Sequence, residues 1–180
     1  MPAVRRLFVI VTALFALTTP LVSPALATSD DYPWRLSTVN LADRWGFTQR
    51  QCVSFVAWRE AQAGHPVSNA LQHWGSALSW DSAAYRLGVR IGSRPVMGAI
   101  AQWNAGEHSA WWANGSPTPN GTVTAGPFGH VAIVRAVNAD GSAVVEQYNM
   151  SGNRSYSTMR VRAPRYLYNG VGGYPAARRI

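Results

Sequence analysis

The stretch Thr48–Trp58, TQRQCVSFVAW, carries the only cysteine of the chain, Cys52, where the sequence predicts the start of a helix. Thr48 and Gln51 have the spacing of a capping box, and apolar residues follow Cys52 at helical intervals. We therefore predict a first helix over residues 48–63. Cys52 then lies in the first turn, where exposed amides and the helix dipole favour a thiolate over a thiol. Such a cysteine is either a small buried hydrophobe or a nucleophile.

The N-terminus has the pattern of a secretory signal peptide. Arg5 and Arg6 precede an apolar run over residues 7–17, and residues 25–27 form a small-x-small cleavage site. The run is well short of the ~20 residues that span a membrane. We therefore predict a signal peptide over residues 1–27 and one domain over residues 28–180, secreted to the medium or the cell wall and free of the membrane after cleavage.

The composition limits the possible partners. One cysteine cannot form an internal disulfide, so the domain is not a disulfide-framed scaffold. All basic residues are arginine, and removing Arg5 and Arg6 from the full-chain charge of +8 leaves +6 for the mature protein. This charge favours polyanions such as an anionic cell wall. The chain shows no nucleic-acid-binding motif, so we expect no nucleic-acid partner, and we expect a monomer.

Helical and strand patterns are segregated along the chain. A second helix is predicted over residues 79–87, and predicted strands follow over residues 89–91, 99–103, 128–137, 142–149 and 156–162. Helices first and antiparallel strands later indicate an α+β fold, with N-terminal helices packed on a central antiparallel sheet.

Residues 104–127 are rich in turn-forming residues and are predicted to form a long loop. Trp111 and Trp112 lie in its middle. Two interpretations stay open: the two tryptophans line a substrate-binding groove, or they anchor the loop to the core.

One of the four histidines is placed to act as a base. His65, His73 and His108 lie in polar or irregular stretches, which surface positions explain. His130 follows Gly129 at the start of an apolar strand, which would hold an imidazole rigidly. Cysteine chemistry needs a thiol, a base and a group that orients the base, and Cys52 and His130 supply the first two.

The hairpin after His130 decides which residue orients the imidazole. A four-residue loop over residues 138–141 places His130 opposite Asn149, with Gln147 on the same face. A loop with an odd number of residues, or a β-bulge, would instead bring Glu146 to that face. The orienting residue is therefore Asn149 or Gln147 in the regular register and Glu146 in the shifted one.

These segments together resemble the CHAP family, the cysteine- and histidine-dependent amidohydrolases/peptidases. The resemblance rests on Trp45–Trp58 around the cysteine, on Gly129–Val134 around the histidine, and on Val145–Asn149. Trp74-Gly75 and Pro95–Trp103 resemble the connecting segments of the family. The resemblance extends over nearly the whole mature chain.

The resemblance implies a compact papain-like α+β fold and an enzyme that hydrolyses amide bonds of bacterial peptidoglycan. The bond is the sugar–peptide amide or one within the peptide. Cys52 would attack the carbonyl carbon, and His130 would move the proton. The Cys52 backbone amide would help to hold the oxyanion. Taken with the hairpin and the tryptophan pair above, the candidate catalytic residues are Cys52, His130, Asn149 and Glu146, and the candidate substrate-binding residues are Trp111, Trp112 and Gln147.

The chain departs from the family pattern at several positions. Where many members carry a carboxylate, two residues before the asparagine, this chain has Gln147. Ala99 stands where the family commonly has an acidic residue. Some members bind calcium through an acidic cluster ahead of the cysteine, where this chain has only Asp43, so we expect no metal and no cofactor. A non-catalytic wall-binding module on the same fold is the alternative function. An acyl-transfer enzyme with the same cysteine and histidine is a third.

Overall fold

The computed structural model describes residues 29–113 and 116–178, which fold into a few helices and one antiparallel sheet. The helices are α1 (Cys52–Gln62), α2 (Asn69–Gln72) and α3 (Trp80–Leu87), with a 3₁₀ turn at Ala77–Ser79 before α3. The strands are β1 (Arg90–Gly92), β2 (Ile100–Trp103), β3 (His108–Trp112), β4 (Gly121–Thr124), β5 (His130–Val137), β6 (Ala143–Tyr148), β7 (Tyr156–Val161) and β8 (Arg165–Tyr168). The α+β class is confirmed. The predicted signal peptide, residues 1–27, lies outside the described residues.

The sheet has the strand order β1-β8-β2-β5-β6-β7-β3-β4. All paired neighbours are antiparallel, and β5 and β6 lie in the middle. Helix α1 packs on these two central strands. Within the described ranges, no helix has both the length and the apolar character needed to cross a membrane.

Two apolar clusters lie on opposite faces of the sheet. The helix-side core contains Phe55 of α1 together with Val131 and Ile133 of β5, all fully or almost fully buried. The outer core contains Ala132 and Val134 of the same strand. Because successive residues of β5 serve different cores, a slip of one residue would exchange the two sets. The positions of the site residues on β5 and β6 are therefore fixed by packing.

The start of α1 differs from the prediction. The helix begins at Cys52 rather than at Thr48, which forms an isolated β-bridge with Ala42. Arg50 has φ +59°, outside the helical region, and Gln51 makes no side-chain cap on the helix. The predicted capping box is thus wrong. The Gln51 side chain instead accepts a hydrogen bond from the Asn149 side chain. The first amides of α1 have no side-chain cap.

The segment 104–127 is not a long loop. It contains β3 and β4, which pair from His108 with Thr124 to Trp111 with Gly121 and extend one edge of the sheet. The aromatic and β-branched residues of the two strands have a high propensity for strands. The Asn, Gly and Pro residues around them favour turns, so the sequence pattern predicted a loop instead. Strand β8 also went unpredicted. It inserts between β1 and β2, a non-local pairing that no local pattern shows.

Candidate active site

A cleft of about 850 Å³ opens at the N-terminus of α1. Its walls include the first turn of α1, the start of β5 with the residues before it, the connection of residues 149–155 between β6 and β7, and residues 46–48 and 75–77. Cys52 and His130 both line it, so the two residues that the sequence singled out for chemistry meet in one place.

Cys52 is almost buried, with 9% of its surface exposed. Burial raises the pKa of its thiol to about 11, although the backbone amides of Val131, Val53 and Cys52 itself face the sulfur and lower that pKa in part. Desolvation thus outweighs the amides at the helix start and favours the thiol over the thiolate that the sequence predicts. The contact with the Val131 amide places the sulfur beside the residue that follows His130.

His130 is the first residue of β5 and lies opposite Trp103 of β2, with the two ring centroids 5.7 Å apart. Burial lowers the pKa of its imidazole to about 4, and the hydrogen bond to Gln147 offsets this only in part. The ring is therefore neutral at pH 7 and can accept a proton. Gly129 leads the chain into this position at φ +73°, where a Cβ would lie 2.6 Å from the Leu78 nitrogen and the Trp103 carbonyl oxygen.

Gln147 orients the imidazole. Nε2 of His130 lies 2.9 Å from Oε1 of Gln147, and Nε2 of Gln147 donates to Oγ of Ser157 at 3.3 Å. The second bond turns the amide oxygen toward the ring, so His130 donates through Nε2–H and keeps the lone pair on Nδ1. Gln147 is 1% exposed and does not line the cleft, so it is placed to hold the histidine rather than to bind substrate.

The register behind this contact arises from two irregularities. The hairpin loop has five residues, so Val137 pairs with Ala143 instead of Ser142. A bulge between Val134 and Ala136 then removes the extra residue, and Ile133 pairs with Glu146. Continued to the end of β5, this register leaves His130 and Gln147 on one face, as the regular reading predicted.

Asn149 lines the cleft, but its side chain makes its hydrogen bonds to residues other than His130. Its backbone has φ +62°, just after β6 ends. Its Nδ2 donates to Oε1 of Gln51 at 2.7 Å, and its Oδ1 accepts from the Arg154 amide at 2.7 Å. Asn149 therefore positions Gln51, the residue before the cysteine. Sequence reasoning missed Gln51 because its spacing suited a helix cap.

Glu146 is placed on the opposite face of β6, toward α1, which corrects its prediction as a catalytic residue. It is fully buried, and its carboxylate lies 2.8 Å from Nε of Arg59 and 3.5 Å from Nη1 of Arg135. Strand alternation explains this position, since Gln147 already occupies the His130 face. Glu146 therefore joins helix to sheet and does not orient the base.

Trp111 and Trp112 lie on β3, near one edge of the sheet, and neither lines the cleft. Trp112 is buried beneath Arg160, whose guanidinium carbon is 4.9 Å from the ring centroid, and Trp111 packs against the outer core. This placement corrects their prediction as substrate-binding residues and favours the anchoring interpretation. The aromatic side chain exposed at the cleft is Phe128, which is 72% exposed.

The described residues contain no cluster of three or more His, Cys, Asp or Glu that could hold a metal ion. Asp43, the acid ahead of the cysteine, instead accepts the backbone amides of Trp45 and Phe47 at 2.8 and 3.0 Å. Its other oxygen accepts from the Ser54 hydroxyl, which also contacts the Tyr32 hydroxyl. Asp43 therefore braces the segment that precedes α1.

A cysteine at a helix start beside a strand-borne, amide-oriented histidine defines the papain-like class of cysteine hydrolase sites. A family model described as CHAP domain matches residues 42–149, which is more than half of the chain. This protein belongs to the CHAP domain family.

Staphylococcal proteins named as amidases or as a probable autolysin are among its relatives. N-acetylmuramoyl-L-alanine amidase sle1 of Staphylococcus epidermidis is 34% identical over 116 residues, which cover 63% of this chain and 29% of that protein. The sle1 amidase of Staphylococcus haemolyticus is 36% identical over 121 residues, 67% of this chain and 28% of that protein. Probable autolysin SsaALP of Staphylococcus aureus is 32% identical over 116 residues, 63% of this chain and 35% of that protein. The chain thus matches about a third of the length of these relatives.

A solved structure shows the same fold. The crystal structure of N-acetylmuramoyl-L-alanine amidase from Staphylococcus aureus superposes with a TM-score of 0.53 at 26% sequence identity. The superposition covers 71% of this chain and 33% of that one.

Proposed function

We propose that this protein is a peptidoglycan hydrolase that cleaves amide bonds with Cys52 as nucleophile and His130 as general base. The observation that carries the proposal is the meeting of Cys52 and His130 in one cleft, with the imidazole oriented by Gln147. Membership of the CHAP domain family supports it. The names of the relatives favour the bond between the muramic acid lactyl group and L-alanine, and a peptide bond within the stem is the alternative.

The reaction starts from a neutral pair, because the thiol has a raised pKa and the imidazole a lowered one. Nδ1 of His130 takes the thiol proton as the sulfur attacks the carbonyl carbon. The protonated imidazole then donates that proton to the leaving amine as the C–N bond breaks. Water, deprotonated by the same ring, hydrolyses the thioester to a carboxylic acid and restores the thiol.

The negative charge on the attacked oxygen needs donors already in place. The Cys52 amide belongs to the uncapped first turn of α1 and is one donor. The Gln51 side chain is the second, because its oxygen is held by Asn149 and its Nε2 hydrogens remain for a ligand. Asn149 thus acts through Gln51 as a positioning residue, and Gln147 acts through His130.

Export is part of the proposal and rests on residues 1–27, whose sequence has the basic, apolar and small-x-small pattern of a signal peptide. The substrate of a peptidoglycan hydrolase lies outside the cytoplasmic membrane. The positive charge of the mature chain would attract it to an anionic wall.

The test is digestion of purified peptidoglycan by wild type and by Cys52→Ala, Cys52→Ser, His130→Ala and Gln51→Leu variants. Mass spectrometry of the products identifies the bond: a free L-alanine amine indicates the amidase, and another new terminus indicates the endopeptidase. We expect no products from the Cys52 variants and a loss of about 100-fold in Gln51→Leu, the scale of one oxyanion donor. Thermal unfolding checks that each variant is folded.

Two results would contradict the proposal. Normal digestion by folded Cys52→Ala would exclude the cysteine mechanism. Wall binding by wild type without any product would support the non-catalytic wall-binding module instead. Transfer of the acyl group to an added amine, rather than to water, would indicate the acyl-transfer alternative.

A further inference from the structure

Arg154 gives the cleft a charge that the proposed chemistry does not use. Among the described residues that line the cleft, it is the one side chain with a permanent positive charge, and no carboxylate lines the cleft with it. Within residues 29–113 and 116–178, its guanidinium makes neither a hydrogen bond nor an ion pair; only its backbone does. A half-buried guanidinium of this kind is available to a ligand.

Three hydrogen bonds hold the backbone of Arg154 in an unfavourable conformation. Its φ is +53°, in a backbone region that residues other than glycine rarely adopt. Oδ1 of Asn149 accepts its amide at 2.7 Å, and the Arg50 guanidinium donates to its carbonyl at 2.7 and 3.1 Å. Arg50 itself has φ +59°. Local strain that the surroundings hold in place is typical of functional positions.

The same contacts connect Arg154 to the reacting atoms. Asn149 binds the Arg154 amide with its oxygen and Gln51 with its nitrogen, and Gln51 precedes Cys52. The backbone that carries the guanidinium is therefore held on the side of the cleft formed by residues 149–155, next to the residue that precedes the nucleophile.

We propose that Arg154 binds a free carboxylate of the peptide strand of the substrate, and that it makes the enzyme selective for anionic stem peptides. This inference rests on the proposed function. A guanidinium fork binds a carboxylate through two parallel charge-assisted hydrogen bonds, and no acidic side chain in the cleft competes for it. A neutral carboxamide at the same place would keep one acceptor and lose the charge.

Two such groups in a stem peptide are the α-carboxylate of a γ-linked glutamate within the strand and the carboxylate at its end. The substrates for the test are therefore four synthetic muramyl peptides, in which each of these groups is either free or amidated. The measurement is kcat/KM for release of the new amine. The source of the carboxylate is the position whose amidation lowers kcat/KM.

The variants are chosen to keep the backbone conformation. Arg154→Gly and Arg154→Asn tolerate a positive φ and remove the charge, and Arg154→Lys keeps the charge without the fork. Arg94→Gln is the matched control, because Arg94 is an exposed arginine outside the cleft. We expect wild type and Arg94→Gln to prefer one free carboxylate by about 10- to 100-fold, the scale of a charge-assisted hydrogen bond. The preference should fall to about 1 in Arg154→Gly and Arg154→Asn and to an intermediate value in Arg154→Lys.

The outcomes separate this inference from the proposed function. Equal hydrolysis of all four peptides by wild type would overturn the role of Arg154 while leaving the hydrolase intact. An undiminished preference in folded Arg154→Gly or Arg154→Asn would do the same. Failure of wild type to hydrolyse any of the four peptides or purified peptidoglycan would overturn the proposed function, and the inference with it.

Discussion

Replacing Gln147 by glutamate tests how the site sets the charge of its base. The new carboxylate would occupy the place of the amide oxygen, 2.9 Å from Nε2 of His130. A unit charge at about 4 Å in a medium of effective dielectric constant about 20 contributes about 4 kcal/mol, which corresponds to about 3 pH units. The cost of burying the carboxylate offsets part of this. We therefore expect the pKa of His130 to rise by about 1 to 3 from its value of about 4.

The sign of the effect on activity follows from the role of the base. His130 accepts a proton only when neutral, so kcat/KM falls on the acid side as the pH drops through the pKa of His130. The acid limb should therefore lie near pH 4 in wild type and about 1 to 3 pH units higher in Gln147→Glu. The measurements are kcat/KM between pH 3.5 and 8 (about the range that covers the acid limbs of wild type and variant) and NMR titration of the His130 ring.

Gln62→Glu is the matched control, because it adds the same charge at the far end of α1, about 15 Å from Cys52 by helix length. Unfolding curves at each pH restrict the comparison to folded protein. An unchanged acid limb and an unchanged His130 titration in Gln147→Glu would refute the assignment of Gln147 as the orienting residue.

Two further predictions concern buried acids. Glu146→Gln should lower the free energy of unfolding in urea by about 3 kcal/mol, because it leaves Arg59 and Arg135 facing a neutral amide. The kcat/KM of the folded variant should stay within about 2-fold of wild type, because Glu146 does not line the cleft. Full stability with lost activity would instead indicate that Glu146 takes part in the reaction. Burial raises the pKa of Glu60 from 4.5 to about 8, so the folded state holds its proton more tightly than the unfolded state and stability falls as pH rises between these values. Glu60→Gln should therefore be more stable than wild type above pH 8 (about the upper end of this window), and identical unfolding curves at pH 9 (about one unit beyond it) would contradict this.

Local patterns were sufficient to find the central strands and the two residues, Cys52 and His130, that meet in the cleft. The helical spacing of apolar residues after Cys52 reflects a helix that buries one face. The continuous apolar run after His130 reflects a strand that is buried on both faces. Both patterns are visible in the sequence alone. The alternation along β6 also limited the orienting residue to a few candidates. The structure selects Gln147 among them by a single hydrogen bond.

The errors share one physical cause, which is competition between local and tertiary contacts. Gln51 has the spacing of a cap, yet Asn149 binds it from 98 residues away. Helix-start geometry favours a thiolate at Cys52, yet burial by the rest of the fold raises its pKa. Strands β3 and β4 follow turn-rich residues and are stabilised by pairing with each other and with β7.

The β5–β6 hairpin has a consequence for how its sequence can vary. Its five-residue tip and the bulge near Arg135 each shift the pairing by one residue, and the two shifts cancel before His130 is reached. The His130–Gln147 contact requires the two shifts to cancel. A net shift of one residue would exchange the faces of the strand, and a net shift of two would move Gln147 along the strand away from His130. A tip shortened to four residues is compatible with the same His130–Gln147 contact if the bulge is lost with it. The hairpin tip and the bulge therefore behave as one unit, through which length changes at the surface can be absorbed without reaching the site.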